Sequence, residues 1–546
     1  MKPSRFFLGV SLTMFLVPLM PKAQEPEQHK HEMGEKLGRV NFTVSCNNAA
    51  QPQFNRAVAL LHSFWYEKAE KAFVDVTKTD PKCGMAYWGI AMSLYHPVWA
   101  PPLATELQNG SAAVQKAGMV GARTQRERDY IAAIEVFYQN AEKLDHRTRA
   151  LAYEKAMERL YLRYPQDHEG AVFYALALLG TALPTDKTFA NQKRAGEILN
   201  RVLLSEPEHP GVAHYLIHSF DYPPLASLAL TAARSYAKIA PSSPHALHMP
   251  SHIFTRLGLW QESITSNIAS AAAAKNYAAR MHPGAASFDQ LHAMDYLAYA
   301  YLQTAQDGKV KEIVENLYAI KKVDANNFAS AYAFAAIPAR YALERHQWAE
   351  AAALKVHPAD FPWNNFSYAE AMIYFARSLG ASRSGDAAGA GKDIERLTSI
   401  QRSLAGAGEN YWATQIEIQR RSAAAWLAHA EGKQEEAMQL MRSAADLEDS
   451  TEKHPVTPGA IVPARELLGE LLLELGEPRQ ALKEFEASLL VSPNRFNGLY
   501  GAARAAELSG DREKAGSLYT KLAILGERSD GSRPELQAAK IFLASK

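Results

Sequence analysis

The sequence predicts an all-α fold, an α-solenoid of stacked helix–turn–helix units. Three observations predict it. Histidine recurs on a 34-residue ruler: His214 and His218 repeat as His248 and His252, and His62 repeats as His96. Thirty-four residues is the period of a helix–turn–helix repeat. Small residues, a bulky apolar residue and a proline recur on the same ruler. No run of alternating strand residues appears, whereas alanine is abundant and Gly and Pro fall mostly between helical segments.

The elements follow in chain order. Residues 1–23 read as a signal peptide. Lys2 and Arg5 supply a positive start, and Phe6 to Met20 is an apolar run broken only by Gly9, Ser11, Thr13 and Pro18. That run is shorter than the ~20 residues a spanning helix needs. A periplasmic or secreted protein is expected, with no membrane span after cleavage; an uncleaved anchor is the alternative. Residues 24–49 form a polar N-terminal arm. Residues 50–379 form a first repeat array with a histidine-rich groove. Residues 380–391, rich in Gly, Ala and Ser, read as a surface loop or linker. Residues 392–546 form a second array.

Composition narrows the function classes. The chain has 546 residues, 47% apolar and 21% charged, which is ample for a core. Lys+Arg is 59 against 58 for Asp+Glu, so there is no basic field to attract nucleic acid. The two cysteines, Cys46 and Cys83, make a disulfide candidate in an oxidising compartment. Two separate buried thiols are the alternative.

On the 34-position frame a small residue stands at 8 and 20, a bulky apolar one at 24 and proline near 32. The first unit carries Ala57, Ala69, Phe73 and Pro81. Near the C-terminus Gly469, Ala481, Phe485 and Pro493 are followed by Ala503, Ala515 and Tyr519. The small residues let paired helices approach closely, and the large ones fill the space between units. This pattern resembles the tetratricopeptide repeat family over most of 50–525. The whole chain resembles large exported bacterial members of it. The resemblance implies an elongated, right-handed solenoid with a concave ligand-binding groove lined by repeat positions 2, 5, 9, 12 and 13. In that frame His214 and His248 take position 5, His218 and His252 position 9, and His62 and His96 position 13. Family members that clamp a peptide carboxylate use Lys, Asn or Arg at such points, so histidine here departs from that clamp.

The histidines carry the candidate chemistry. Four is the spacing that puts two side chains on one helix face. Eight histidines fall between His209 and His292, with Asp221, Asp289 and Asp295 among them. Imidazoles on neighbouring helices could converge on a divalent transition metal, Zn, Cu, Fe or Ni. His214, His218, His248 and His252 are the metal candidates; Asp221, His245, His282, His292 and Asp295 are outer or additional ligands. The competing reading is a polar groove of satisfied histidines, and for His62 and His96 simple packing at the end of a helix. Pro250 lies between His248 and His252, so that pair could straddle a kink. The loop around Trp99, flanked by prolines, could cover the groove. No zinc-hydrolase signature, nucleophile elbow, phosphate loop, dinucleotide fingerprint or C-x-x-C is present. The sequence therefore points first to a binding scaffold for a peptide, protein or small ligand rather than an enzyme. A metal-binding protein or metalloenzyme using the same histidines is the alternative.

Overall fold

The computed structural model describes residues 1, 34–98, 101–531 and 533–545. The expected signal segment and Trp99 lie outside the described residues. Two compact units result, Met1–Lys36 and Leu37–Lys546, and the described helices lie in the second. Its helices pack chiefly on their neighbours in sequence. Pairs run from Ala50–His62 with Tyr66–Thr79 to Phe496–Leu508 with Arg512–Leu525, and Pro534–Ala544 closes the row. Among the described residues no strand forms; the sole bridge joins Ala286 and Val323. The fold is an all-α solenoid of stacked helix pairs.

The two helices of a pair differ in burial. Pro210–Phe220 is buried at all eleven positions, as befits a helix enclosed on every side. Its partner Leu230–Ile239 is amphipathic, burying Ala232, Ala233, Tyr236 and Ile239 and exposing Thr231, Arg234 and Lys238. The repeat frame has a direct steric meaning. A Cβ at Gly89 would lie 2.3 Å from the Phe73 ring. At Gly469 and Gly501 it would lie 2.7 and 2.3 Å from Phe485. Gly469 at the small position, and Gly89 and Gly501 beside it, are small because the bulky residue of an adjoining helix occupies the place of a side chain.

Three expectations need correction. Residues 380–391 are not a linker. They complete the helix Ser367–Arg383, turn at Gly385 with φ 83° and begin the helix Ala387–Gly406. Gly and Ala are there because a left-handed turn and close helix packing require them. The arm 24–49 is not polar throughout either. Leu37, Val40, Phe42 and Val44 are buried, and Phe42 sits among the rings of Phe54, Trp88, Tyr130 and Phe173. An extended strip of chain thus completes the first core. Nor is the array an open rod. Trp260 Nε1 donates to the Asn494 carbonyl at 2.7 Å, and the Gly308 amide donates to Asp530 at 2.9 Å. Fully buried Arg495 pairs with Glu466 and Glu344, and also donates to the Tyr299 hydroxyl. The last units fold back on the middle of the chain.

Cys46 and Cys83 form a disulfide that pins the extended strip to the start of the helix Gly84–Ser93. The closed loop predicts a contribution of about 4 kcal/mol from restriction of the unfolded chain. Cys46→Ser with Cys83→Ser should lower the denaturation free energy by about that much. A urea midpoint unchanged by reductant would refute it.

His346 lies between Glu470 and Glu535, with nitrogen–oxygen distances of 3.3 and 3.7 Å. Burial lowers its basicity, but the two carboxylates outweigh this and hold it protonated up to about 10. Because the folded value is raised, its contribution is complete below the ordinary 6.5 and is lost as pH rises through about 10. The stability deficit of His346→Gln should therefore be largest below 6.5 and vanish above about 10. Urea midpoints across that range would show it; a deficit independent of pH would not agree.

Candidate metal centre

Six histidines are brought together by three consecutive units. His209 caps the helix Pro210–Phe220 by accepting the Val212 amide, and Pro210 starts the first turn. Within that helix His214 and His218 stand one turn apart on one face. In the next unit Ser243 caps Pro244–His248, and the chain passes through Met249, still right-handed helical, into Pro250–Arg256. Pro250 serves as a first-turn residue, where its missing N–H costs little. His248 and His252 therefore stay one turn apart. His292 comes from the helix Phe288–Gln303.

The expected four-histidine set does not form as such. The imidazoles divide into two groups of three, His214–His218–His245 and His248–His252–His292. In each group the ligand nitrogens lie within 4.8 Å of one another. In the first, His218 Nε2 and His245 Nε2 each lie 3.1 Å from His214 Nε2. In the second, His248 Nε2 lies 3.0 Å from His252 Nε2. A tetrahedral ion with bonds of 2.0–2.1 Å places neighbouring donors about 3.3 Å apart. The groups adjoin: the rings of His218 and His252 are 6.0 Å apart, and those of His245 and His248 are 6.1 Å apart. All six side chains are buried, the most exposed being His218 at 7%.

Hydrogen bonds behind the rings determine what the inner nitrogens can be. His214 Nδ1 lies 2.6 Å from the His62 carbonyl, which only accepts, so Nδ1 carries the proton and Nε2 is a bare lone pair. Asn267 Nδ2 donates to the Ser263 carbonyl, which orients the Asn267 Oδ1 towards His248 Nδ1 at 2.6 Å. His252 Nδ1 donates to Asp221 Oδ2 at 3.0 Å. In neutral His248 and His252 both Nε2 atoms are therefore unprotonated, and their lone pairs face each other at 3.0 Å. Such a contact is repulsive unless a cation lies between them.

A proton is a poor candidate for that cation. Burial holds His214 down to about 3. Burial, reinforced by neighbouring imidazoles, holds His218, His245, His248 and His292 well below 6.5. For His252 burial outweighs the help of Asp221. Burial also disfavours the Asp221 carboxylate, but Lys453, Arg256 and His252 overcome it and keep it ionised. Lys453 Nζ lies 2.7 Å from Asp221 Oδ2, and Arg256 Nε lies 2.9 Å from Oδ1. Asp221 thus orients the His252 ring, an arrangement that would suit a metal-bound imidazole.

The other expected residues lie elsewhere. Asp295 forms a buried ion pair with Arg340. His282 Nε2 lies 3.3 Å from Glu67. His96 packs on Tyr66 with its nearest carboxylate, Glu106, 4.0 Å away. His62 belongs to a third group, His62–Glu169–His209, in which Glu169 lies 2.9 and 3.0 Å from the two Nε2 atoms. Here every ring nitrogen has a complementary partner: Tyr215 hydroxyl lies at His62 Nδ1, and the Val212 amide donates to His209 Nδ1. This third group is satisfied without metal. Sequence reasoning missed Asn267, Glu169 and Lys453, which carry no spacing signal. It placed His245 in an outer role because His245 lies off the 34-residue ruler.

A cavity of about 420 Å³ lies beside the centre, lined by Tyr332, Tyr368, Trp412 and His454 among others. It shares Arg256 and Lys453 with the Asp221 network.

No family model matches the chain, and no curated protein matches it. Among solved structures it is similar to the human IFIT1 dimer with m7Gppp-AAAA, at 12% identity and a TM-score of 0.36, covering 91% of this chain and 99% of that one. It is also similar to the APC/C hetero-tetramer Cut9–Hcn1, at 11% identity and 0.32, covering 91% and 95%. For yeast Tom70 the values are 11% and 0.33, again covering 91% and 95%. These likenesses say nothing about the histidine centre.

The Glu169 carboxylate is buried, and its two imidazole partners, outweighing burial, hold it well below the usual carboxylate range. Glu169→Ala removes two charge-assisted hydrogen bonds and should destabilise the protein by about 3 kcal/mol. A calorimetric midpoint equal to wild type would contradict that account.

Proposed function

We propose that this chain is a metal-binding protein whose helical-repeat scaffold builds two three-imidazole sites for transition-metal ions. One observation carries the reading: His248 and His252 present bare Nε2 lone pairs to each other at 3.0 Å in a buried place that disfavours a proton. All-imidazole donor sets suit Zn, Cu, Fe and Ni. Three protein ligands per ion also leave a position open for an exogenous ligand. The scaffold reading keeps a narrower form here. The histidines are buried, so they serve an enclosed centre rather than a peptide lying in an open groove. Export to an oxidising compartment fits both the N-terminal segment and the Cys46–Cys83 bond.

Protein prepared without a histidine tag and loaded with Zn²⁺ or Cu²⁺ should hold two ions per chain by elemental analysis. His214→Asn with His218→Asn should remove one ion, and His248→Asn with His252→Asn the other. Asp221→Asn should retain both sites but weaken the second by about 10–100-fold, because it loosens an orienting partner. Folded wild type that takes up no metal would end this reading.

A further inference from the structure

We infer that the two histidine groups act as one centre, a pair of copper ions that binds dioxygen between them. The inference rests on the metal-binding reading above and deepens it. Three observations support it: the adjacency of the groups, the absence of an anionic member in either group among the described residues, and the local charge balance.

The groups adjoin at two places, His218 against His252 and His245 against His248. Ring packs against ring, so the two groups are immediate neighbours in one buried region. Paired ions in such a region act on a common ligand as a clamp.

All six donors are neutral. The carboxylates nearby are already engaged: Asp221 with His252, Arg256 and Lys453, Glu169 with His62 and His209, and Asp295 with Arg340. Glu452 lies 3.7 Å from Arg256. Around the second group, Asp221 and Glu452 balance Arg256 and Lys453. Two divalent ions would therefore bring four positive charges that only anions drawn in from solvent could offset, at a cost that rises steeply with charge. Two cuprous ions bring two, and imidazole is a good ligand for copper in either state.

Dioxygen then binds without changing that charge. Each Cu(I) gives one electron to dioxygen and becomes Cu(II). The dioxygen gains two electrons and becomes a peroxide dianion held between the ions. No proton is taken up and no bond is broken to protein. The site carries two positive charges before and after, so the buried surroundings need not reorganise. For a pair of zinc ions no such electron transfer exists.

The test uses full-length, tag-free protein stripped with chelator and loaded with Cu(I) under nitrogen. Two copper ions per chain are expected. On admission of air, one dioxygen should be consumed per two copper ions. A strong near-ultraviolet absorption band should appear, with almost no Cu(II) paramagnetic resonance because adjacent spins pair. His245→Asn and His292→Asn each open one group; each should keep one copper and lose the band, with helicity checked by circular dichroism. Should both variants unfold, the wild-type stoichiometry and spectra still decide. Two copper ions that oxidise to two separate paramagnetic signals, with no stoichiometric oxygen uptake, would overturn this inference while leaving metal binding intact. So would binding of two zinc ions with exclusion of copper. Absence of any metal binding would overturn both.

Discussion

Asp221 is the point at which the array is tied to itself. One carboxylate at the end of the helix Pro210–Phe220 accepts from His252 in the next unit, from Arg256 one turn later, and from Lys453 more than two hundred residues away. Removed from water, it remains ionised because these partners surround it. Its position fixes the tautomer of His252, and that tautomer turns a bare nitrogen inward. The contact with Lys453 joins the segment after the helix Gln434–Asp449 to the histidine units. The helix ladder supplies regularity; this one ionic contact relates its regular parts to a site.

The two kinds of histidine group show how chemistry differs from packing. Around Glu169 donors meet acceptors at every ring nitrogen, and the cluster is complete as protein alone. Between His248 and His252, acceptor meets acceptor. An amide oxygen and a carboxylate hold their outer nitrogens protonated, so the inner ones face each other as lone pairs. Buried polar atoms normally find complementary partners. The proposed metal-binding reading rests on that mismatch.

Closure of the array changes what a repeat protein's concave side can do. Fully buried Arg495, Arg533 with Asp307, and Trp260 with Asn494 bring the last units against the middle ones. The side chains of the histidine units are buried as well. Burial lowers the basicity of the imidazoles and raises the cost of unbalanced charge. It converts groove positions into a buried centre with a separate aromatic cavity beside it.

The amino-acid sequence determined the local repeat. A 34-residue period, small residues opposite Phe73 and Phe485, and prolines at unit boundaries are short-range requirements of helix pairing, and each is written in consecutive residues. It also determined that His214 with His218, and His248 with His252, share helix faces, because a fourfold spacing is a property of one helix. Tertiary structure alone decided that His245 and His292 complete separate groups, that Asp295 turns away to Arg340, and that Asp221 orients the His252 ring. It also decided that 380–391 is a turn within the array and that 37–44 enters the core. These outcomes depend on small rotations between units, summed along the chain until Lys453 meets Asp221. No periodicity in the residues records that sum.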